Sequence, residues 1–344
     1  MKGEDAMSMQ WKRFARGGFV AVAGIAVLVA ASWPWAAPAS AQQKKRIAYI
    51  TTALVTVGNY EIAHYGGFQK MLQKYGFEGT PVEKVDYSKA PELMRTLAAQ
   101  GASVIIVTSG GFAAALEEVA PEFPKVWFIG TSDIRPPDKH KNVAGFTPQW
   151  NEFGYMIGPG VALATKTNKV GIVSAVPIMS LNRAVASLMA SAKATNPKVN
   201  VDVRYTQSWV DNTKSKEAAL ALIAEGADIL LPYVGSAEPG VIEAVKEKNV
   251  KMVGYIVDSY QVAPKNIFTS QIINMDRLYD IVGELIATNR LEPKIYPMDV
   301  ASGVLDFAPT RGLVPPEVER KLAETREGIK TGKIKIERLV YSPK

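Results

Sequence analysis

The stretch Val104-Ile105-Ile106-Val107-Thr108-Ser109-Gly110-Gly111-Phe112-Ala113-Ala114-Ala115-Leu116 decides the fold. Four apolar residues in a row, bounded by polar and turn residues, read as a buried strand. Ser109-Gly110-Gly111 turns the chain, and the Ala- and Leu-rich run to Val119 reads as a helix. Val126-Trp127-Phe128-Ile129 then repeats the strand. Strands spaced by helices pair in parallel through right-handed crossovers.

The same alternation extends outward. Upstream come a strand at 47–50 and a helix with Ile62, Tyr65, Phe68, Leu72 and Tyr75 at three-to-four spacing, ended by Gly76. A strand at 82–85 and a helix near 91–100 follow, and a strand at 143–146 closes this half. From Asn151 the pattern recurs. Helices are expected at about 151–166, 181–192, 213–225 and 240–248, with strands at 170–173, 199–205, 228–231 and 251–255. Met275, Leu278, Val282 and Leu285 stripe a further helix, then 300–307 reads as strand and 315–330 as helix. These last pieces are too few for a core of their own, so they return to complete both halves. The expected fold is α/β, two doubly wound parallel-sheet lobes with a ligand cleft between them. Residues 42–147 plus about 262–297 form the N-terminal lobe; 148–261 plus about 298–344 form the C-terminal lobe. Ligands of such sheets bind outside the carboxyl ends of the strands.

The first 41 residues stand apart. Lys12, Arg13 and Arg16 precede an uncharged apolar run at 17–31, and Ala39-Ser40-Ala41 supplies small residues before a cut. This is the pattern of a secretory signal peptide; the alternative is an uncleaved membrane anchor. The apolar run is short for a span of ~20 residues, so cleavage after Ala41 is expected. Cleavage removes four basic and two acidic residues, which brings the net charge of +7 to +5. The remaining Lys and Arg alternate with acids, as on a solvated face, and no nucleic-acid partner is expected.

The 344 residues contain no cysteine and two histidines. Disulfides, thiolate metal sites and a cysteine nucleophile are thereby excluded. No phosphate-binding glycine loop, dinucleotide fingerprint, zinc-helix motif or nucleophile elbow occurs. No catalytic residue, metal or cofactor is expected, and a cleft without a catalytic centre favours binding. Ser109 and Gly110, at a strand–helix turn, are candidates to hold a polar ligand edge through free N–H groups.

Aromatic and polar residues gather at four strand ends. The first loop carries Asn59 and Tyr60, with His64 one turn on. Gln149, Trp150 and Glu152 lie at the first change of lobe. Gln207 and Trp209 follow the second strand of the second half, and Asp258 follows its fourth. A tyrosine from one lobe and a tryptophan from the other would clamp a flat ligand, each stack contributing ~1–3 kcal/mol. Asp258 would accept hydrogen bonds from ring N–H or amino groups. Against this, Asp211 reads equally as a helix cap, and His64 as a helix-face histidine.

At these residues the chain resembles the basic-membrane-protein family of solute-binding proteins for ABC importers, whose best-known members bind purine nucleosides. The resemblance runs from about Arg46 to Ile336. It is most specific at Tyr205-Thr206-Gln207-Ser208-Trp209-Val210-Asp211 and at Gly254-Tyr255-Ile256-Val257-Asp258. It implies the type I periplasmic binding protein fold, with Trp209 and Tyr60 stacking on a base and Asp258 reading it. It also implies a permease partner in the inner membrane, and hinge closure on the ligand. The sequence departs from the family at two places: 51–60 holds no acid, and Thr269-Ser270 is followed by Gln271 where nucleoside receptors carry a lysine nearby. A free purine base or another flat heterocycle is therefore as consistent as a nucleoside. Many relatives are lipoproteins; without cysteine this chain is expected to diffuse freely in the periplasm as a monomer. A secreted nucleoside-hydrolysing enzyme and a ligand-sensing domain for a membrane receptor are the alternatives.

Overall fold

A computed structural model describes residues 44–134 and 140–343; the expected signal peptide lies outside the described residues. The first sheet contains β1 (Arg46–Ile50), β2 (Glu78–Val82), β3 (Val104–Val107), β4 (Trp127–Gly130) and β5 (Val143–Pro148). Its helices are α1 (Asn59–Tyr75), α2 (Ala90–Ala99) and α3 (Ala113–Val119). The chain then crosses into α4 (Trp150–Ala164), β6 (Lys169–Ser174), α5 (Met179–Thr195), β7 (Asn200–Tyr205), α6 (Asn212–Ala224) and β8 (Ile229–Tyr233). It continues through α7 (Glu238–Lys248), β9 (Lys251–Ile256), β10 (Ile267–Ile273), α8 (Met275–Ala287), β11 (Ile295–Met298), β12 (Leu305–Phe307) and α9 (Pro316–Lys330).

Each sheet has six strands, in the orders β11-β5-β4-β3-β1-β2 and β12-β10-β9-β8-β6-β7. All pairings are parallel except β10 with the edge strand β12. Both sheets thus reverse direction beside their first strand, between β1 and β3 and between β6 and β8. Crevices that hold ligands open at such switch points. β3 and β8, buried at every position, are apolar runs, as expected of central parallel strands covered on both faces.

Three expectations are corrected. The second strand is β2 at 78–82, not 82–85. It lies at the edge, half exposed, and contains Gly79 and Pro81, so no apolar run marks it; proline is tolerated there because an edge lacks part of its ladder. The run at 300–307 is not one strand. Asp299 accepts a hydrogen bond from the Ser302 N–H (2.7 Å), and this turn separates β11 in the first sheet from β12 in the second. Residues 262–297 do not all return to the first lobe. β10 pairs with β9, so the return begins after Ile273, with α8 packing on α1.

Gln149 N–H donates to the Met298 carbonyl (2.9 Å), and the Glu152 carboxylate accepts from Val300 N–H (2.9 Å). Two of the connections between sheets are therefore tied together. In the second lobe, α4 meets α5 at Gly154 and Gly158, where the backbones approach closely enough that a Cβ would overlap α5.

Candidate functional site

A cleft of about 670 Å³ opens at the carboxyl ends of both sheets. From the first lobe it is lined by the ends of β1 (Thr52, Ala53) and β3 (Thr108 to Gly111), by Tyr87 in the short turn before α2, by Ser132 and Asp133 after β4, and by the first turn of α1. The second lobe contributes Val176 and Ile178 after β6, Trp209 after β7, Ser236 after β8 and Tyr255 on β9. The switch-point strands of both sheets thus all deliver lining residues.

Of the residues expected from sequence, Tyr60, Ser109, Gly110, Trp150 and Trp209 line this cleft. Tyr60 is fixed by a hydrogen bond from its hydroxyl to the Thr108 carbonyl (2.8 Å). Ser109 accepts from Gly111 N–H (3.3 Å) and bonds the hydroxyl of Tyr87 (2.8 Å). Tyr87, 50% exposed, stands edge-on to Phe112 and covers Gly111. Trp209 is 38% exposed, and its indole lies along Gly235, which carries no side chain to displace it. Its carbonyl accepts from Ala237 N–H (3.1 Å), anchoring the loop. Asp211 caps α6 through Lys214 N–H (3.0 Å).

The other expected residues stand elsewhere. Asp258 is outside the cleft lining; its carboxylate pairs with Arg311, whose guanidinium covers the Tyr260 ring at 4.3 Å. His64 is fully buried, bonded through Nδ1 to the Tyr279 hydroxyl (3.1 Å), and burial pushes its imidazole down to about 3; it is a neutral core histidine. Gln149 and Glu152 tie the inter-sheet connections. Gln207 turns the chain at φ 57°. Asn59 reaches the second lobe: its amide donates to Glu238 at 2.5 Å.

Glu238 is 2% exposed, at the start of α7. It accepts from Asn59 and, at 3.3 Å, from the Ser259 hydroxyl. Burial, only partly offset by these bonds, holds its carboxyl up to about 7. Beside it Gly58, at φ 79°, is so close to Ser236 that any side chain would collide with that hydroxyl. The two lobes are thus latched beside the cleft, next to its lining residues Tyr60 and Ser236. Between the ordinary carboxylate range near 4.3 and about 7, the folded chain keeps a proton that the unfolded chain has lost. Stability therefore falls as pH rises across this window and levels off above it. Unfolding midpoints should decline from pH 5 to pH 7.5, and Glu238→Gln should make that decline shallower. An identical pH profile for the variant would remove Glu238 as a cause.

The cleft wall also holds groups that the sequence does not single out. Glu61, Asp86 and Asp133 line the cleft, and among its described lining residues there is no Lys or Arg. Burial raises the Asp133 carboxyl against the pull of Arg183, which stands 3.6 Å away. Asp133 Oδ2 and Trp150 Nε1 are buried with no hydrogen-bond partner. Ile256, at φ 70°, turns the chain just beyond Tyr255 in a region that β-branched residues rarely adopt. Asp133 follows β4 closely, so the strand-end rule finds it, whereas Tyr87 stands in a short turn five residues beyond β2. The described residues contain no cluster of His, Cys, Asp or Glu able to hold a metal ion, and no helix long and apolar enough to cross a membrane.

Comparison with known proteins agrees with this architecture. Residues 45–339 match the family model Bmp, described as ABC transporter substrate-binding protein PnrA-like. The chain is 24% identical over 299 residues to a purine-binding protein of Brucella abortus, covering 86% of this chain and 84% of that one. It is also 24% identical over 225 residues to the transcriptional activator protein med of Bacillus subtilis, covering 65% of this chain and 69% of that one. Among solved structures, an ABC transporter solute-binding protein from Aeropyrum pernix superposes with a TM-score of 0.74 at 16% identity, covering 86% and 94% of the two chains. The fold is that of type I periplasmic solute-binding proteins.

Proposed function

Because the chain belongs to the Bmp family of PnrA-like ABC transporter substrate-binding proteins, we propose that it is the periplasmic receptor of an importer for a purine base or purine nucleoside. The observation that carries the reading is the cleft wall: a half-exposed indole, Trp209, beside tyrosines and three carboxyls, with no lining cation. Stacking on an aromatic face favours a flat ring. Carboxyl groups favour ring N–H and amino groups, and repel phosphate. Nucleotides are accordingly rejected and uncharged purines accepted. The similarity to a purine-binding protein supports the same ligand class.

Ligand draws the lobes together by hinge closure about the tied connections, and the closed form presents itself to the permease. The chain acts as a soluble monomer after its export signal is removed, and performs no catalysis. Thermal shift of the mature chain with adenine, guanine, inosine, adenosine and AMP tests this. A purine at about 100 times its Kd stabilises by about 2.7 kcal/mol, and AMP gives no shift. A shift with AMP equal to that with adenosine, or none with any purine, refutes the reading. The transcriptional-activator relative supports a second reading, ligand sensing; purine uptake by vesicles carrying the cognate permease only when this chain is added would exclude it.

A further inference from the structure

We propose that Glu61 selects ligands that carry hydrogen-bond donors, and that its carboxyl gives up a proton to water when such a ligand is seated. The inference rests on the cleft being the ligand site. Glu61 occupies the first turn of α1, next to Tyr60, and lines the cleft. No Lys or Arg pairs with it among the described residues, and its carboxylate has only its own backbone N–H as a partner. The ionisable groups around it are the phenols of Tyr60 on its own helix, Tyr49 on β1 and Tyr255 on β9. Beyond Tyr255 stands the buried carboxyl of Glu238 on α7, while Glu61 itself is half-buried. The remaining charged groups of the lining are the acids Asp86 and Asp133, and Arg183 is engaged by Asp133. No cation therefore compensates Glu61, and burial holds its carboxyl up to about 7.

A second observation points to what is recognised. Trp150, 4% exposed, lines the same cleft with its Nε1–H unpartnered, and Asp133 Oδ2 is an unpartnered acceptor. The wall offers one buried donor and two carboxyl acceptors. That set matches a heterocycle edge on which N–H or amino groups flank a ring nitrogen. The ring nitrogen takes the indole donor, and the ligand's donors need the carboxylates. A ligand N–H placed against Glu61 favours the charged form. The carboxyl O–H bond then breaks, the proton passes to water, and the ligand N–H replaces it on the oxygen. A ligand that brought only acceptors would keep Glu61 protonated and would bind better in acid.

The sign follows. Below pH 7 binding must first remove the proton, so affinity rises with pH to about 7 and is flat above. Calorimetric titration of the mature chain with adenine, uncharged over this range, at pH 5.5, 6.5 and 8.0 in two buffers of different ionisation enthalpy, reads both affinity and proton count. Adenine should bind about 30-fold more weakly at pH 5.5 than at pH 8.0, with most of one proton released per adenine at pH 6.5. Glu61→Gln should show a flat profile and no release, while its thermal unfolding shows that it folds. Proton release that persists in Glu61→Gln, a flat wild-type profile, or affinity that rises towards acid would each overturn the role of Glu61. If Trp209→Ala weakens adenine binding while Glu61→Gln behaves as wild type, this inference fails and the ligand site stands. If adenine does not bind the wild type at all, the purine reading falls and this inference with it.

Discussion

Gly154→Ala should destabilise the protein by about 3 kcal/mol, at the upper end of overpacking costs. Gly154 lies on α4 against α5. A Cβ there would overlap the Ala184 carbonyl oxygen and stand 2.6 Å from its carbon and 2.8 Å from Cα. These are backbone atoms of a buried helix, so no rotamer change relieves the clash. One turn on, Gly158 is in the same position against Leu188 and Ala192; the two helices cannot part at one point without losing the contact at the other. Alanine improves helix propensity by about 1 kcal/mol over glycine, which is too little to offset the clash. Gly66 on α1 provides the internal comparison, since nothing lies within 4 Å of a Cβ there. Gly66→Ala should therefore stabilise by up to about 1 kcal/mol. Urea unfolding followed by circular dichroism reads both. A Gly154→Ala midpoint equal to wild type would show that α4 and α5 are farther apart than described.

Trp209→Ala is expected to weaken purine binding by about 2 kcal/mol, near thirtyfold. The indole lines the cleft with 38% of its surface open, and the chain around it is held by the Ala237 N–H bond and the Asp211 cap. Removing the ring leaves that loop anchored, so the loss reports stacking and not local unfolding. Asp258→Ala serves as the contrast. Its carboxylate is engaged with Arg311 outside the cleft lining, and affinity should change less than threefold, about 0.6 kcal/mol. Calorimetry with the purine that gives the largest thermal shift measures both. Equal affinities for wild type and Trp209→Ala would remove the stacking assignment, and a large loss in Asp258→Ala would return that residue to the site.

The elements legible in the sequence carry local signals. Buried strands such as β3 announce themselves by unbroken apolar runs, and α8 by a stripe that recurs every three to four residues and is buried against α1. The edge strand β2 carries no such signal, because one side of it meets solvent. Gln149 and Glu152 follow a strand, as site residues do, but that strand ends where the chain changes lobe. The Gln149 backbone N–H and the Glu152 carboxylate hold the connections, and the Gln149 amide donates to the Thr147 carbonyl. His64 shares the helix of Tyr60 yet points to the Tyr279 side, where it is wholly buried.

The sequence by itself determined the alternation of strands and helices, the two-lobed plan and the aromatic strand-end loop around Trp209. These follow from spacings of a few residues, which set the faces of helices and strands. Only the tertiary structure decided which strand ends meet, and hence that Glu61 and Asp133 face the cleft while Asp258 turns to Arg311. It also decided that Glu238 is buried and Glu61 half-buried, each without a cation beside it among the described residues. The charge state of a carboxyl depends on desolvation and on neighbours from α1, α7, β1 and β9 together. These groups are up to about 200 residues apart along the chain, and no local pattern records their meeting.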